Sequence, residues 1–264
     1  VLGIPGDLIE RVDAAEEGMA AVFSRLDRIM EYNQYKVLDV FHRTRVEDRH
    51  FGWHTGYGYD DPGRAALEEA FARLFRAEAA LVRPTIVNGT HALNLTLAGI
   101  LRPGDEMIYC TGAPYDTLEH VIGIRGEGEG SLKDFGIRYR QVELDGAGEI
   151  DLDALGRAIT PSTRMVCVQR STGYGWRKAL TIPQIARWVS FVKSVDPNIL
   201  CMVDNCYGEF LAEQEPTEVG VDVLAGSLIK NPGGGLALTG GYIAGKAELI
   251  RRISRPLFGE VTDS

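Results

Sequence analysis

Lys230 stands between the apolar run "VLAGSLI" and the glycine-rich tail "NPGGGLALTGG". An amine held near a strand end, partly out of water, has its charged form disfavoured and becomes a usable nucleophile toward a carbonyl carbon, so Schiff-base chemistry is open to it. Ser227, three positions earlier, offers a hydroxyl to an anion, and Gly233, Gly234 and Gly235 let backbone approach a ligand closely. Asp204, 26 positions before the lysine, closes the strongly apolar run "LCMV". A carboxylate there needs a partner: a protonated ring nitrogen is one, and a helix N-cap or a salt bridge is another.

Three further places could carry chemistry. In "VNGTHALNL" the residues Gly89 and Thr90 fall between a strand-like run and the first turn of a helix, with His91 beside them. Free amides and the positive end of the helix dipole would converge there on one spot suited to a phosphate, although a threonine N-cap at an ordinary turn has the same pattern. Tyr115, after "EMIYC", would stand at a strand end where its ring could lie flat on an aromatic cofactor or pack in the core. Ser171, after "RMVCVQR", could donate a hydrogen bond to a ligand, and Tyr57 and Tyr59 in "GYGYDDPG" could reach a ligand or anchor their loop. Neither the phosphate loop G-x-x-x-x-G-K-[ST] nor the dinucleotide fingerprint G-x-G-x-x-G opening a helix occurs, and the histidines lack metal-ligand spacing.

The elements that must position these residues show in the hydrophobic periodicity. Leu8, Val12, Ala15, Met19, Val22, Leu26 and Ile29 recur at helical spacing, which predicts an amphipathic helix and then a second one between Pro5 and about Arg45, an arm of the kind that packs on a neighbour. "FGWHTGYGYDDPGR" is too rich in glycine and aromatics for a regular element, and a helix is expected from about Arg64 to Phe75. Beyond it, β-rich runs at "AALVRP", "EMIYC", "IRYRQVEL", "RMVCVQR", "NILCMVDN", "DVLAGS" and "GGYIAG" alternate with helical stretches near 90–101, 116–123, 151–158, 182–194 and 246–254. Strands buried on both faces and separated by helices predict a three-layer α/β domain with a mostly parallel sheet, whose ligands bind at the carboxyl ends of its strands.

The composition, 45% apolar and 25% charged in 264 residues, belongs to a globular chain able to bury a sizeable core. A net charge of −9 argues against nucleic acid or an anionic membrane as the main partner. No apolar run approaches a membrane span, and the N-terminus carries acids where a signal peptide carries bases, so a cytoplasmic home is expected. Cys110, Cys167, Cys201 and Cys206 lie in or beside strand-like runs without a C-x-x-C pair, which predicts buried, reduced thiols. The chain opens at Val1 and stops soon after a helix-like run, which reads as a fragment.

Taken in order, the phosphate-type turn, the aromatic stacker, the strand-terminal aspartate and the lysine with a serine three before it resemble fold-type I pyridoxal-phosphate enzymes. "VDNCYGEF" and "SLIKNPGGGLALTGGYIAG" look like the cystathionine lyase and methionine γ-lyase branch. "FGWHTGYGYDDPGR", "VNGTHAL" and "QRS…GY" resemble its "aluminium resistance" methionine γ-lyase-like members. The resemblance implies pyridoxal 5'-phosphate as cofactor, joined to Lys230, which also shuttles the proton taken from the substrate's α-carbon. Asp204 is then the partner of the pyridine nitrogen, and Tyr115 stacks on the ring. Gly89, Thr90 and His91 hold the phosphate through their backbone with the Ser227 hydroxyl, His91 also being a candidate for ring contact. Ser171 contributes a hydrogen bond, and Tyr57 or Tyr59 reaches across a homodimer or homotetramer interface.

The implied organisation is a helical arm over 1–50 and a cofactor-binding large domain over 51–264, with a small C-terminal domain outside this chain. The implied reaction is β- or γ-elimination on a sulfur-containing amino acid such as methionine or cystathionine. The same ring also supports transamination or aldol-type cleavage, and a non-catalytic stress-response protein keeping the fold is a third possibility. Two positions depart from the lyases: no arginine stands between Tyr57 and Tyr59, and Ile229 precedes the lysine where a hydroxyl residue is usual.

Overall fold

The computed structural model describes residues 3–53, 61–126 and 128–258. It opens with helix α1 (Gly6–Arg43), followed by α2 (Pro62–Leu74), β1 (Ala79–Arg83), α3 (Gly89–Ile100), β2 (Glu106–Tyr109), α4 (Asp116–Ile122) and β3 (Arg138–Gln141). Then come α5 (Leu152–Ala158), β4 (Thr163–Gln169), α6 (Ile182–Val195), β5 (Leu200–Asp204), β6 (Val223–Ser227), β7 (Gly241–Gly245) and α7 (Ala247–Phe258). The seven strands form one sheet in the order β1-β7-β6-β5-β4-β2-β3. β7 runs antiparallel to both of its neighbours, and every other pairing is parallel. The carboxyl ends of β1 to β6 therefore share one edge of the sheet.

Side-chain alternation along the strands separates two cores. In β4, Val166 and Val168 face a core that includes Phe71, Phe75, Ile185, Trp188 and Val192 of the α2 and α6 layer. Met165 and Cys167, one residue out of phase, face Leu93, Leu97, Ile250 and Ile253 of the α3 and α7 layer. α6 shows why its segment is helical: Thr181 and Gln184 form a reciprocal capping box, and Ile182, Ile185, Trp188, Val189 and Val192 recur on the buried face. α3 is apolar nearly all round because it lies between the sheet and α7. At Gly99 a Cβ would stand 2.7 Å from the Ile253 Cα, so glycine permits the close approach of those two helices.

Some expectations change. The arm is one continuous 38-residue helix rather than two, since nothing between Gly6 and Arg43 removes an amide donor within it. From Gly6 to Arg28 every residue of α1 is exposed, and only Asn33 and Val40 within the helix are buried. β3, at the sheet edge, is largely exposed instead of buried on both faces. The four cysteines are free thiols, but Cys206 is half-buried where Cys110, Cys167 and Cys201 are buried. Among the described residues no helix is long and apolar enough to cross a membrane.

Candidate active site

The Asp204 carboxylate is placed by β5, whose other residues are apolar and buried, so the chain delivers a 3%-exposed acid to the strand's carboxyl end. Burial pushes this carboxyl up to about 6, against the pull of the Cys206 amide, which donates to Oδ1 at 3.1 Å, and of the Lys230 and Arg177 charges. An acid so desolvated is incomplete without a cationic or hydrogen-bonding partner in the space it faces.

The next strand places the other half. β6 ends at Ser227, which is 1% exposed and whose Oγ has no hydrogen-bond partner. Lys230 follows after one turn, with its backbone amide on the Ser227 carbonyl at 3.3 Å. The lysine Nζ donates to the Tyr207 hydroxyl and lies 4.0 Å from the centroid of that ring.

From β1 the chain turns into α3, and the cap is not the threonine weighed as the ligand-free alternative. Asn88 is the N-cap, its side-chain Oδ1 accepting from the His91 amide at 2.8 Å. The His91 ring turns back, with Nδ1 accepting from the Val87 amide at 3.3 Å. His91 is thus engaged outside the cavity, a correction to the expectation that its backbone and ring serve the ligand. The amides of Gly89 and Thr90 remain in the first turn, the positive end of the helix. A Cβ on Gly89 would lie 3.1 Å from the Cys206 sulfur and 3.2 Å from the Ser227 Cβ, so a side chain there would crowd this corner.

Tyr115 ends the loop after β2. Its ring stacks on Tyr174 with centroids 5.2 Å apart, and the two hydroxyls are 2.8 Å apart. The hydrogen bond to Tyr174, and burial after it, push the Tyr115 phenol up to about 12, so it is a neutral proton donor near neutral pH. Ser171, after β4, accepts from the Gln169 side chain at 3.3 Å.

These side chains meet in one cavity of about 450 Å³, lined by Gly89, Thr90, Tyr115, Ser171, Asp204, Ser227 and Lys230 together with Cys206, Tyr207 and Tyr174. Tyr57 and Tyr59 lie outside the described residues. Sequence reading missed Tyr207, Tyr174 and the exposed side of Cys206. The only signal for Tyr207 was its position three residues beyond a strand-terminal aspartate.

A mostly parallel sheet with helices on both faces, collecting a lysine, an aspartate and a helix N-terminus at the carboxyl ends of its strands, is the large-domain architecture of fold-type I enzymes. The chain belongs to the methionine gamma-lyase family, whose sequence profile matches residues 8–260. It is 50% identical to YnbB of Bacillus subtilis over 94% of this chain and 60% of that protein. It is 29% identical to the L-methionine gamma-lyase of Pseudomonas putida over 73% of this chain and 43% of the other. Among solved structures, a carbon-sulfur lyase involved in aluminum resistance from Clostridium novyi superposes with a TM-score of 0.92 at 47% identity, covering 96% of this chain and 61% of that one. The chain therefore spans about 60% of the length of YnbB and of the Clostridium novyi lyase.

Proposed function

We propose that this chain is the cofactor-binding part of a pyridoxal-phosphate-dependent carbon–sulfur lyase that eliminates the sulfur substituent of an amino acid such as methionine or cystathionine. The observation that carries the reading is the convergence of the Lys230 amine, the buried Asp204 carboxylate, the orphaned Ser227 hydroxyl and the open Gly89 corner on a single cavity. Membership of the methionine gamma-lyase family supports the choice of a sulfur-containing substrate.

The residues present fit the cofactor. Ser227 Oγ, buried without a partner, and the amides of Gly89 and Thr90 are donors that would hold a phosphate group. Asp204, desolvated beyond what the Lys230 and Arg177 charges offset, would keep a proton on a pyridine nitrogen, and that contact would in turn return its own carboxyl toward the ordinary range. Tyr115 offers a ring face and a hydroxyl able to protonate a leaving thiolate. When bound, pyridoxal phosphate supplies an aldehyde for covalent capture and a ring that accepts electron density from the substrate's α-carbon. Lys230 Nζ is the base that would receive the α-proton once the substrate amine has taken its place.

Self-association, with a cytoplasmic setting, completes the proposal. Leu8, Val12, Met19, Val22 and Leu26 are each more than a third exposed along α1, and with Ala15 and Ile29 they repeat every three or four residues, the spacing that seats one helix on another. Five acids and one base lie between Asp7 and Glu17, whereas Arg25, Asp27, Arg28 and Glu31 beyond them balance, so a parallel second copy of α1 stacks like charge on like and an antiparallel one avoids it.

Incubation of the cofactor-loaded protein with methionine and with cystathionine should release a keto acid and a sulfur-containing product in equal amounts. Keto acid without any sulfur product would replace elimination by transamination.

A further inference from the structure

Two residues in the loop after Asp204 adopt left-handed backbone without being glycine: Tyr207 at φ 65° and Phe210 at φ 62°. That conformation is unfavourable for a side chain with a Cβ and persists only where the surroundings impose it. Phe210 has a packing reason, since its ring stacks on Phe75 at 6.1 Å and is half-buried against the core. Tyr207 has none, being 52% exposed. What its strained backbone secures is the contact of its phenol with Lys230 Nζ.

The clamp that imposes this backbone is buried. Glu209, 0% exposed, accepts through Oε1 from the Tyr242 hydroxyl at 2.6 Å, and its carbonyl accepts from the Asn231 side chain at 2.9 Å. Glu215 Oε1 accepts from the Phe210 amide at 2.9 Å, while Arg170 bonds both Glu215 and Asn205. Glycine at 208 leaves room for this clamp, because a Cβ there would lie 2.4 Å from the Arg170 Cδ and force that side chain to shift. Asn231 is the neighbour of Lys230, so the loop bearing Tyr207 and the loop bearing the lysine are tied to each other independently of the phenol contact.

We propose that Tyr207 is a positioning residue for Lys230. Its hydroxyl accepts the hydrogen bond from Nζ, and its ring faces the same nitrogen, which holds the amine at the cavity wall while it carries no carbonyl partner. The inference rests on the reading of Lys230 as the amine that captures an aldehyde. The four-carbon lysine stem is otherwise free to rotate, and Asp204, in the same cavity, is the partner onto which it would fold. Tyr207 keeps amine and acid apart, so that each is available to a different end of one bound ring.

The test compares the wild-type chain with Tyr207→Phe and Tyr207→Leu in two measurements. The first is the rate of adduct formation at Lys230 with pyridoxal phosphate, trapped by borohydride and located by peptide mass. In that reaction the amine nitrogen adds to the aldehyde carbon with loss of water, and hydride then reduces the carbon–nitrogen double bond. The second is the affinity for pyridoxine phosphate, which has the ring and phosphate but no aldehyde. Tyr207→Leu should slow capture about tenfold and Tyr207→Phe, which keeps the ring, about threefold, with pyridoxine phosphate affinity held within about twofold in both. Capture at the wild-type rate in Tyr207→Leu, or a parallel loss of pyridoxine phosphate affinity, would overturn the positioning role. Wild-type protein that forms no adduct at Lys230 would overturn the proposed function and this inference with it.

Discussion

Asp204 carries the clearest electrostatic consequence at the scale of a single residue. Its carboxyl is raised from 3.8 to about 6 in the fold by burial, so protonation is favoured by folding. Its contribution to stability is fully present below about pH 4 and is lost as pH rises through about 6, amounting to about 3 kcal/mol across that window. In cofactor-free protein, Asp204→Asn should therefore flatten the fall in thermal midpoint between pH 4 and pH 7, read by calorimetry; an unchanged slope would show that the acid has a partner already. The shared placement of Asp204, Ser227 and Lys230 on one cavity was legible in the sequence because each sits at or just beyond an apolar strand, whose pleat and end fix where it can point. Tyr207 was not legible, since the aim of its side chain depends on a left-handed backbone set by the buried Glu209 and Glu215. His91 was misplaced for a local reason: Asn88 captures the helix cap two residues before Thr90 and takes the His91 amide for itself.

At the scale of elements, alternation and periodicity located every strand and helix of the sheet region to within a few residues. The register needed the structure, because β7 lies between β1 and β6 and reverses direction there. A glycine-rich, fully buried strand has the same pattern in either direction. The expected break within the arm had no proline or paired glycine to cause it, and α1 is continuous. Its exposed seam carries a prediction of its own. The chain should sediment as a dimer or larger assembly, and the exposed substitutions Val12→Glu with Leu26→Glu should shift it to a lighter species while leaving the circular dichroism unchanged. A wild-type chain that sediments as a monomer at high concentration would contradict the pairing of α1 with a second copy.

For the whole molecule, the sheet gathers six strand ends at one edge, and the segments that follow five of them, β1, β2, β4, β5 and β6, supply groups to one cavity. This division of labour explains why fold and site were legible together. The same buried strands that make the core also aim Asp204 and Ser227, and the glycine that leaves room beside them is visible in "VNG", whereas Gly233, Gly234 and Gly235 of "NPGGG" do not line the cavity. What sequence could not supply is the mutual placement of side chains from irregular loops, such as the Tyr115 and Tyr174 stack. The central claim is that one of the chain's lysines alone is built to capture an aldehyde. Borohydride reduction of the pyridoxal-phosphate-treated protein followed by peptide mapping tests it most directly: a single pyridoxyl adduct on Lys230, absent from Lys230→Ala, is the predicted result, and label spread over surface lysines with Lys230 unmodified would contradict it.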